Sequence, residues 1–344
     1  MPPATDATTG RPFYSVRASF LSALVTRFEA TEKGANRLLD RAGLSTAQLA
    51  DPYGTIPMAQ FVGFLEAAAE VTDDPAFGAR MGTEIKAGDM GPVGLVLSLS
   101  ESVTAGMERL VRSTNALQGG TDTQWIRSED TWIFSYRLTD PTLWPRRQDA
   151  EFSLSSVVQV IRDNFRARWT PEEVHFEHAA PDDPLPLEKI FRCPVRYAQP
   201  INRLIADKAD CAQIMRKEDR DLLATLQRHI QDIIGTTVAT PDIVTAARAV
   251  IEAHLGLTPI TLDHVADALS LTPRTLQRRL AASGITLRAL LEDIRHTRAQ
   301  ALLSQPRAKV ADVSDALGYA DPTAFWRAWR GWTGTTPSQA RTTG

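Results

Sequence analysis

The chain has 344 residues, 43% hydrophobic and 23% charged, with 38 Lys+Arg against 41 Asp+Glu and two cysteines. That apolar fraction excludes a mostly disordered chain, and the length points to two domains, since single domains centre on roughly 100–150 residues. The longest uncharged run, residues 52–65, is interrupted by Pro57 and is too short for a membrane span, and Cys193 and Cys211 without a CxxC or Cys/His cluster suggest neither a disulfide scaffold nor a zinc site.

Residues 1–12, MPPATDATTGRP, are polar and rich in Pro and Gly and read as a disordered tail. The apolar segment over 18–25 lies between Arg17 and Arg27 with no small-residue cleavage pattern after it, so no secretory signal is expected and a cytoplasmic location is. Helices are predicted over 16–28, over 35–42 up to Gly43, over 57–71 with Pro57 in the first turn, and over 102–117, where Val103, Met107, Leu110 and Val111 recur at helical spacing. Residues 123–127 and 131–138, rich in Thr, Trp, Ile, Phe and Tyr, read as a β-hairpin. A helix over 147–168, short strands over 173–178 and 194–197, and a helix over 217–234 complete an α+β domain across 13–234. The small, polar stretch 235–241, GTTVATP, suits an interdomain linker, and everything over 242–344 reads as helices, making that domain all-α.

The net charge of −3 argues against nucleic acid until it is divided at the linker. Residues 1–240 hold 26 basic and 32 acidic side chains, residues 241–344 hold 12 and 9, and the stretch 268–291 has no acid but carries Arg274, Arg278, Arg279 and Arg288. The same region contains an internal repeat: VADAL at 265–269 returns as VSDAL at 313–317. Each copy is followed by a cap and a proline, Thr272-Pro273 and Asp321-Pro322, which suit N-cap and first-turn positions. Each copy is therefore a helix, a tight turn and a second helix: 262–269 then 273–283, and 311–317 then 322–332. Val265, Leu269, Leu276 and Leu280 pack the first unit, leaving Arg274, Thr275, Gln277, Arg278 and Ala281 on other faces. Val313, Leu317, Phe325 and Trp329 pack the second, leaving Thr323, Trp326, Arg327 and Arg330 outside. A basic amphipathic helix alone is as readily a solvated surface as a DNA reader, but two copies with matched caps and packing positions favour double-stranded DNA, whose guanine and adenine edges suit Arg and Gln.

Residues 263–295 and 311–341 resemble the tandem helix-turn-helix domain of AraC/XylS-type transcriptional regulators. The resemblance is most specific at Gly318, Tyr319, Asp321, Pro322, Phe325, Arg327, Gly334, Thr336, Pro337 and Arg341. It implies a long linker helix between the two motifs, which Leu287–Leu303 fits with Leu290, Leu291, Ile294, Ala301 and Leu302 as packing positions. It implies recognition helices entering successive major-groove segments about 34 Å apart on one face of promoter DNA. By motif position, Arg274, Gln277 and Arg278 face bases from the first helix and Thr323, Trp326 and Arg327 from the second, with Thr275 beside them and Thr272 and Arg330 on phosphates. The chain departs from the family pattern at Trp326 and Trp329; Trp329 fills a core position, and Trp326 is open between a sugar or methyl contact and packing on Trp332.

The patches LLDRAGL at 38–44, Ile56-Pro57, 61–69 and FRCPVR at 191–196 resemble the "arabinose-binding" effector or dimerisation domain of one subgroup of that family, a label that names no sugar. The resemblance implies a ligand-responsive activator with a small-molecule effector and RNA polymerase as partners, and leaves a homodimer open. No catalytic residue, metal site or cofactor is expected: there is no HExxH, nucleophile elbow or phosphate loop, and His175, Glu177 and His178 read as surface or satisfied strand positions. Trp125, Trp132, Tyr136 and Trp144 read as core ahead of a ligand pocket. A rival reading makes the C-terminal helices a protein-contact surface of a sensor or enzyme, and a second rival keeps DNA binding but assigns repression.

Overall fold

The computed structural model describes residues 14–31, 34–51, 54–118, 120–140, 143–234, 242–304 and 308–337; the expected tail over 1–12 and linker over 235–241 lie outside the described residues. The first half opens on an antiparallel pair, β1 (Ser15–Arg17) and β2 (Thr55–Pro57), between which run α1 (Ala18–Thr31), α2 (Ala35–Arg41) and α3 (Thr46–Leu49). Pro57 ends β2 and caps α4 (Met58–Thr72) from outside its first turn, because Met58 N donates to Tyr14 O at 2.9 Å and extends the strand pairing. Helices α5 (Phe77–Thr83), α6 (Gly91–Leu99) and α7 (Val103–Leu117) follow, the last capped by Ser102, which accepts from Ala105 N.

The expected hairpin is β3 (Thr121–Arg127) and β4 (Thr131–Leu138). It belongs to a five-stranded sheet in the order β3-β4-β7-β5-β6, with β5 (Glu173–His175), β6 (Val195–Arg196) and β7 (Asn202–Asp207), antiparallel except between β5 and β6. The long α8 (Arg147–Asn164) precedes β5 and stops four residues short of the expected end, and α9 (Leu185–Phe191) lies between β5 and β6. Strand β7 is central yet has no counterpart in the sequence reading, because Asn202 and Arg203 stand at buried strand positions and hide its apolar pattern. Helices α10 (Lys208–Ala212) and α11 (Arg220–Ile234) close this half.

The second half is helical throughout its described residues: α12 (Ile243–His254), α13 (Leu262–Ala268), α14 (Pro273–Ala282), α15 (Leu287–Leu303), α16 (Val310–Ala316) and α17 (Pro322–Thr333). The punctuation read from sequence is made of real hydrogen bonds. Thr272 accepts from Thr275 N and Asp321 from Ala324 N, each satisfying a donor that the first helical turn leaves unpaired, and Thr286, which the sequence reading did not single out, does the same for Ala289 N.

Two apolar cores result, one within the first half and one within α12–α17, but Ile126 and Ile133 of the hairpin belong to the second. Strand alternation explains this division, since successive side chains point to opposite faces of a sheet. Thr123, Phe134 and Tyr136 face the first core and line a cavity there. Ile126, Ile133 and Arg137 face α12 and its neighbours. The sheet is one layer separating this cavity from the helical half.

Candidate nucleic-acid interface

Each repeat forms the expected helix-turn-helix. Val265, Leu276 and Leu280 are buried between α13 and α14, with Leu269 half-buried at the turn, and Val313, Leu317, Phe325 and Trp329 are buried between α16 and α17. Burying those stripes leaves Thr272, Arg274, Gln277 and Arg278 of the first unit exposed and Thr275 half-buried, its hydroxyl 2.8 Å from that of Thr272. In the second unit Thr323, Arg327 and Arg330 are exposed and Trp326 is half-buried. The Arg330 guanidinium lies over the Trp326 ring at 5.5 Å, while Trp332 faces His296, with ring centroids 5.3 Å apart. Trp326 thus carries an arginine over its ring, and Trp332 has His296 as a ring neighbour.

The linker helix α15 has its expected limits, and Leu290, Ile294 and Leu302 are buried on it. Ala301 is exposed instead of packed, and Ala299 and Leu303 are buried in its stead. The Gly318-Tyr319 signature has a mechanical basis. Arg295 of α15 donates to Leu317 O at 3.0 Å and Gly318 O at 2.9 Å, and its guanidinium lies 4.4 Å from the centre of the Tyr319 ring. The carbonyls ending α16 are thereby tied to α15, which fixes the second unit against the first. Asp321→Ala removes the α17 cap and is expected to cost about 1 kcal/mol in urea unfolding; a change below about 0.3 kcal/mol would show the cap to be idle.

The helical half is seated on the sheet through buried charge. Arg137 of β4 donates to Glu252 of α12 at 2.9 Å and to Asp122 of β3 at 2.8 Å. Arg298 of α15 stands 3.4 Å from Glu252 and 3.8 Å from Glu177, which also receives Arg146 at 3.0 Å and Asn202 Nδ2 at 2.8 Å. Three guanidiniums and three carboxylates balance across the boundary. Beside them the fully buried Arg203 of β7 donates to Ala253 O at 2.6 Å and Leu255 O at 3.2 Å, filling unpaired carbonyls at the end of α12. Its Nε donates to His175 Nδ1 at 3.0 Å, which fixes the tautomer in which Nε2 donates to Glu173 at 2.8 Å.

His175, His178 and His254 are buried, not on the surface, but of the three only His175 uses both ring nitrogens; His178 and His254 bond through Nδ1 to Ala179 O and Val250 O, and among the described residues their Nε2 atoms have no hydrogen-bond partner. Burial pulls His175, His178 and His254 down to about 4, so all three are neutral near pH 7. Glu177, for which the sequence offered no partner, finds Arg146, Asn202 and Arg298 only through the fold. The aromatic group divides. Trp125 and Trp132 stack with centroids 5.1 Å apart, Trp144 is about half exposed, and Tyr136 lines the cavity. Among the described residues no group of three His, Cys, Asp or Glu side chains is placed to hold a metal ion, and no helix is long and apolar enough to cross a membrane.

Two capped helix-turn-helix units fixed on a connecting helix, joined to an α+β half with an internal cavity, define a DNA-binding transcriptional regulator with an effector-binding domain. Residues 34–215 match the arabinose-binding domain of AraC transcription regulators, and residues 265–343 match a helix-turn-helix domain. The chain belongs to the AraC-type helix-turn-helix transcriptional regulators. It is similar to the HTH-type transcriptional regulator VirS of Mycobacterium tuberculosis (strain ATCC 25618 / H37Rv), 28% identical over 297 residues that cover 83% of this chain and 84% of VirS. It is also similar to the transcriptional activator NphR of Rhodococcus sp, 34% identical over 125 residues, 35% of this chain and 36% of NphR. Among solved structures, the transcriptional regulator CdpR of Pseudomonas aeruginosa matches with a TM-score of 0.44 and 21% identity, covering 94% of this chain and 98% of that one.

Proposed function

We propose that the protein is a cytoplasmic, ligand-responsive transcriptional activator and not an enzyme, with an effector domain over 13–234, a linker over 235–241 and a tandem DNA-reading domain over 242–344. Arg274, Gln277 and Arg278 read bases in one major-groove segment, with Thr275 beside them. Thr323, Trp326 and Arg327 read the next segment, and Thr272 and Arg330 hold phosphates. The observation that carries this is the exposure of both arginine faces on helices whose apolar stripes are fully occupied. The similarity to the transcriptional activator NphR supports activation over repression; RNA polymerase is the partner such activation calls for. A second copy of the chain would double the DNA footprint.

The sheet supplies the coupling. A molecule in the cavity touches Tyr136, and the next residue of the same strand, Arg137, holds Glu252 of α12. A ligand that favours one seating of α12 over another shifts the protein between DNA-binding states, and only that difference in affinity does so. Genome-wide mapping of DNA bound by the full-length chain tests the reading and supplies the operator. On that operator, affinity falls as salt rises because phosphate contacts release counterions, and Arg278→Ala is expected to lose about 1–3 kcal/mol of discrimination at one base pair. Equal affinity for every sequence sinks the specificity reading. A reporter driven by the mapped promoter and challenged with a metabolite library tests ligand response; no response to any compound removes it.

A further inference from the structure

The cavity behind the sheet has a volume of about 70 Å³ and is walled chiefly by apolar side chains, among them Phe20, Met58, Phe61, Phe134, Phe152 and Val157. By the same measure a water needs roughly 10–15 Å³, so the space takes several heavy atoms beyond one solvent molecule. Phe20, Met90, Thr114 and Gln118 are shared with an outer chamber of about 260 Å³ beside Gly91 and Pro92, which gives a longer molecule a way in.

One charged group lines the inner cavity. Asp149, in the first turn of α8, is 1% exposed, and among the described residues its carboxylate takes one hydrogen bond, from Tyr136 Oη at 2.8 Å, and has no ion-pair partner within 4.0 Å. An ionised carboxylate has about four acceptor sites, and a buried one without a cation is costly. The neighbouring arginines are committed elsewhere: Arg146 to Glu177 and to Leu138 O, Arg147 to Glu151 and to Pro75 O. Folding has placed an unpaired acid at a cavity wall and directed the nearest guanidiniums to other carboxylates.

We infer that Asp149 is the anchor of the effector site, and that the effector is a small organic amine whose ammonium group pairs with the Asp149 carboxylate while its hydrocarbon body fills the phenylalanine-lined cavity. This rests on the reading of the first half as an effector domain and adds the site and the class of ligand. An ammonium supplies the missing charge and up to three donors to Asp149, and apolar burial supplies the remaining attraction. Anions meet a carboxylate in a largely apolar wall and are disfavoured.

The site has its own pH signature. Burial pushes the Asp149 carboxyl up to about 7, opposed by the hydrogen bond from Tyr136 of β4 and by Arg146 at the start of α8, and reinforced by Glu66 of α4 and by Glu177 beyond β5. A bound ammonium needs the ionised form, so amine affinity falls about tenfold for each pH unit well below 7, and that of a neutral isostere does not.

The test is calorimetric titration of the full-length protein with n-butylamine, n-hexylamine, n-octylamine and 2-phenylethylamine, each paired with the alcohol of the same skeleton. The expected result is that at least one amine binds at least tenfold more tightly than its alcohol at pH 8 and loses that advantage toward pH 6. In Asp149→Asn, amine affinity drops at least tenfold and alcohol affinity moves less than threefold, with an unchanged melting temperature as the control for folding. Amines binding no better than their alcohols to the unaltered protein overturn the inference, whatever the variant does. The promoter reporter separates the two levels: a response to neutral or anionic metabolites alone removes the amine and keeps ligand regulation, and no response to any compound removes both.

Discussion

Glu252→Ala is expected to destabilise the full-length chain by about 3–5 kcal/mol, the usual cost of removing one member of a buried ion cluster. Glu252 is 3% exposed and stands between Arg137 at 2.9 Å and Arg298 at 3.4 Å. Its loss leaves the buried Arg298 and the half-buried Arg137 with Asp122 and Glu177 as their remaining carboxylates. Burial already pulls Arg298 below the ordinary arginine range, and Glu252 is the largest influence opposing that shift. The damage is directed at the seating of α12 on the sheet, so unfolding followed by tryptophan fluorescence and circular dichroism should separate into two transitions. Glu252→Gln keeps the shape and a hydrogen-bonding oxygen but not the charge, and is expected to fall between the two. If Glu252→Ala unfolds within about 0.5 kcal/mol of the unaltered chain, the cluster does not hold the halves together. The functional corollary is a changed ligand response with operator contacts intact, because Arg274, Arg278 and Arg327 lie on exposed faces away from the seam.

What was legible in the sequence is what is encoded over three or four residues. Thr272-Pro273 and Asp321-Pro322 place two helix starts, whereas the helix Leu287–Leu303 was expected from the family resemblance and its apolar spacing, its Thr286 cap unread. The recognition faces follow, because a helix whose packing stripe is known has its outer face fixed by the 3.6-residue period. The coupling layer was not legible. Arg137 and Glu252 are 115 residues apart, Arg203 and the Ala253 carbonyl are 50, and each of the three charged residues alone reads as an ordinary surface charge. Strand β7 escaped for the same reason, since its polar Asn202 and Arg203 make sense only once Glu177, His175 and the end of α12 are brought to them. Asp149 gave no signal either: an acid in a first helical turn is commonplace, and only the cavity beside it makes this one unusual.

Gly256→Ala is expected to cost roughly 2–6 kcal/mol, combining about 1–3 kcal/mol for a side chain held in the left-handed region with about 1–3 kcal/mol for overpacking. Gly256 follows α12 with φ +75°, and a Cβ there would overlap the carbonyl of Ala316, the last residue of α16. The contact is backbone against backbone, so no rotamer change relieves it. The two units can then separate only by moving α16 and α17 as a body away from α12, and Arg295, which grips Leu317 O and Gly318 O, resists that movement. Spacing is the property at stake. Two recognition helices on one DNA face must be about 34 Å apart to enter successive major-groove segments. Gly256→Ala should therefore weaken binding to the full operator far more than binding to a duplex that keeps only the segment read by α14. Gly284→Ala is the matched control: its φ is +74°, but a Cβ there meets nothing within 4 Å, so it bears the backbone cost alone. Equal losses for the two variants, in urea unfolding and in fluorescence anisotropy on both duplexes, would show that the close approach of α12 and α16 does not set the distance between the recognition helices.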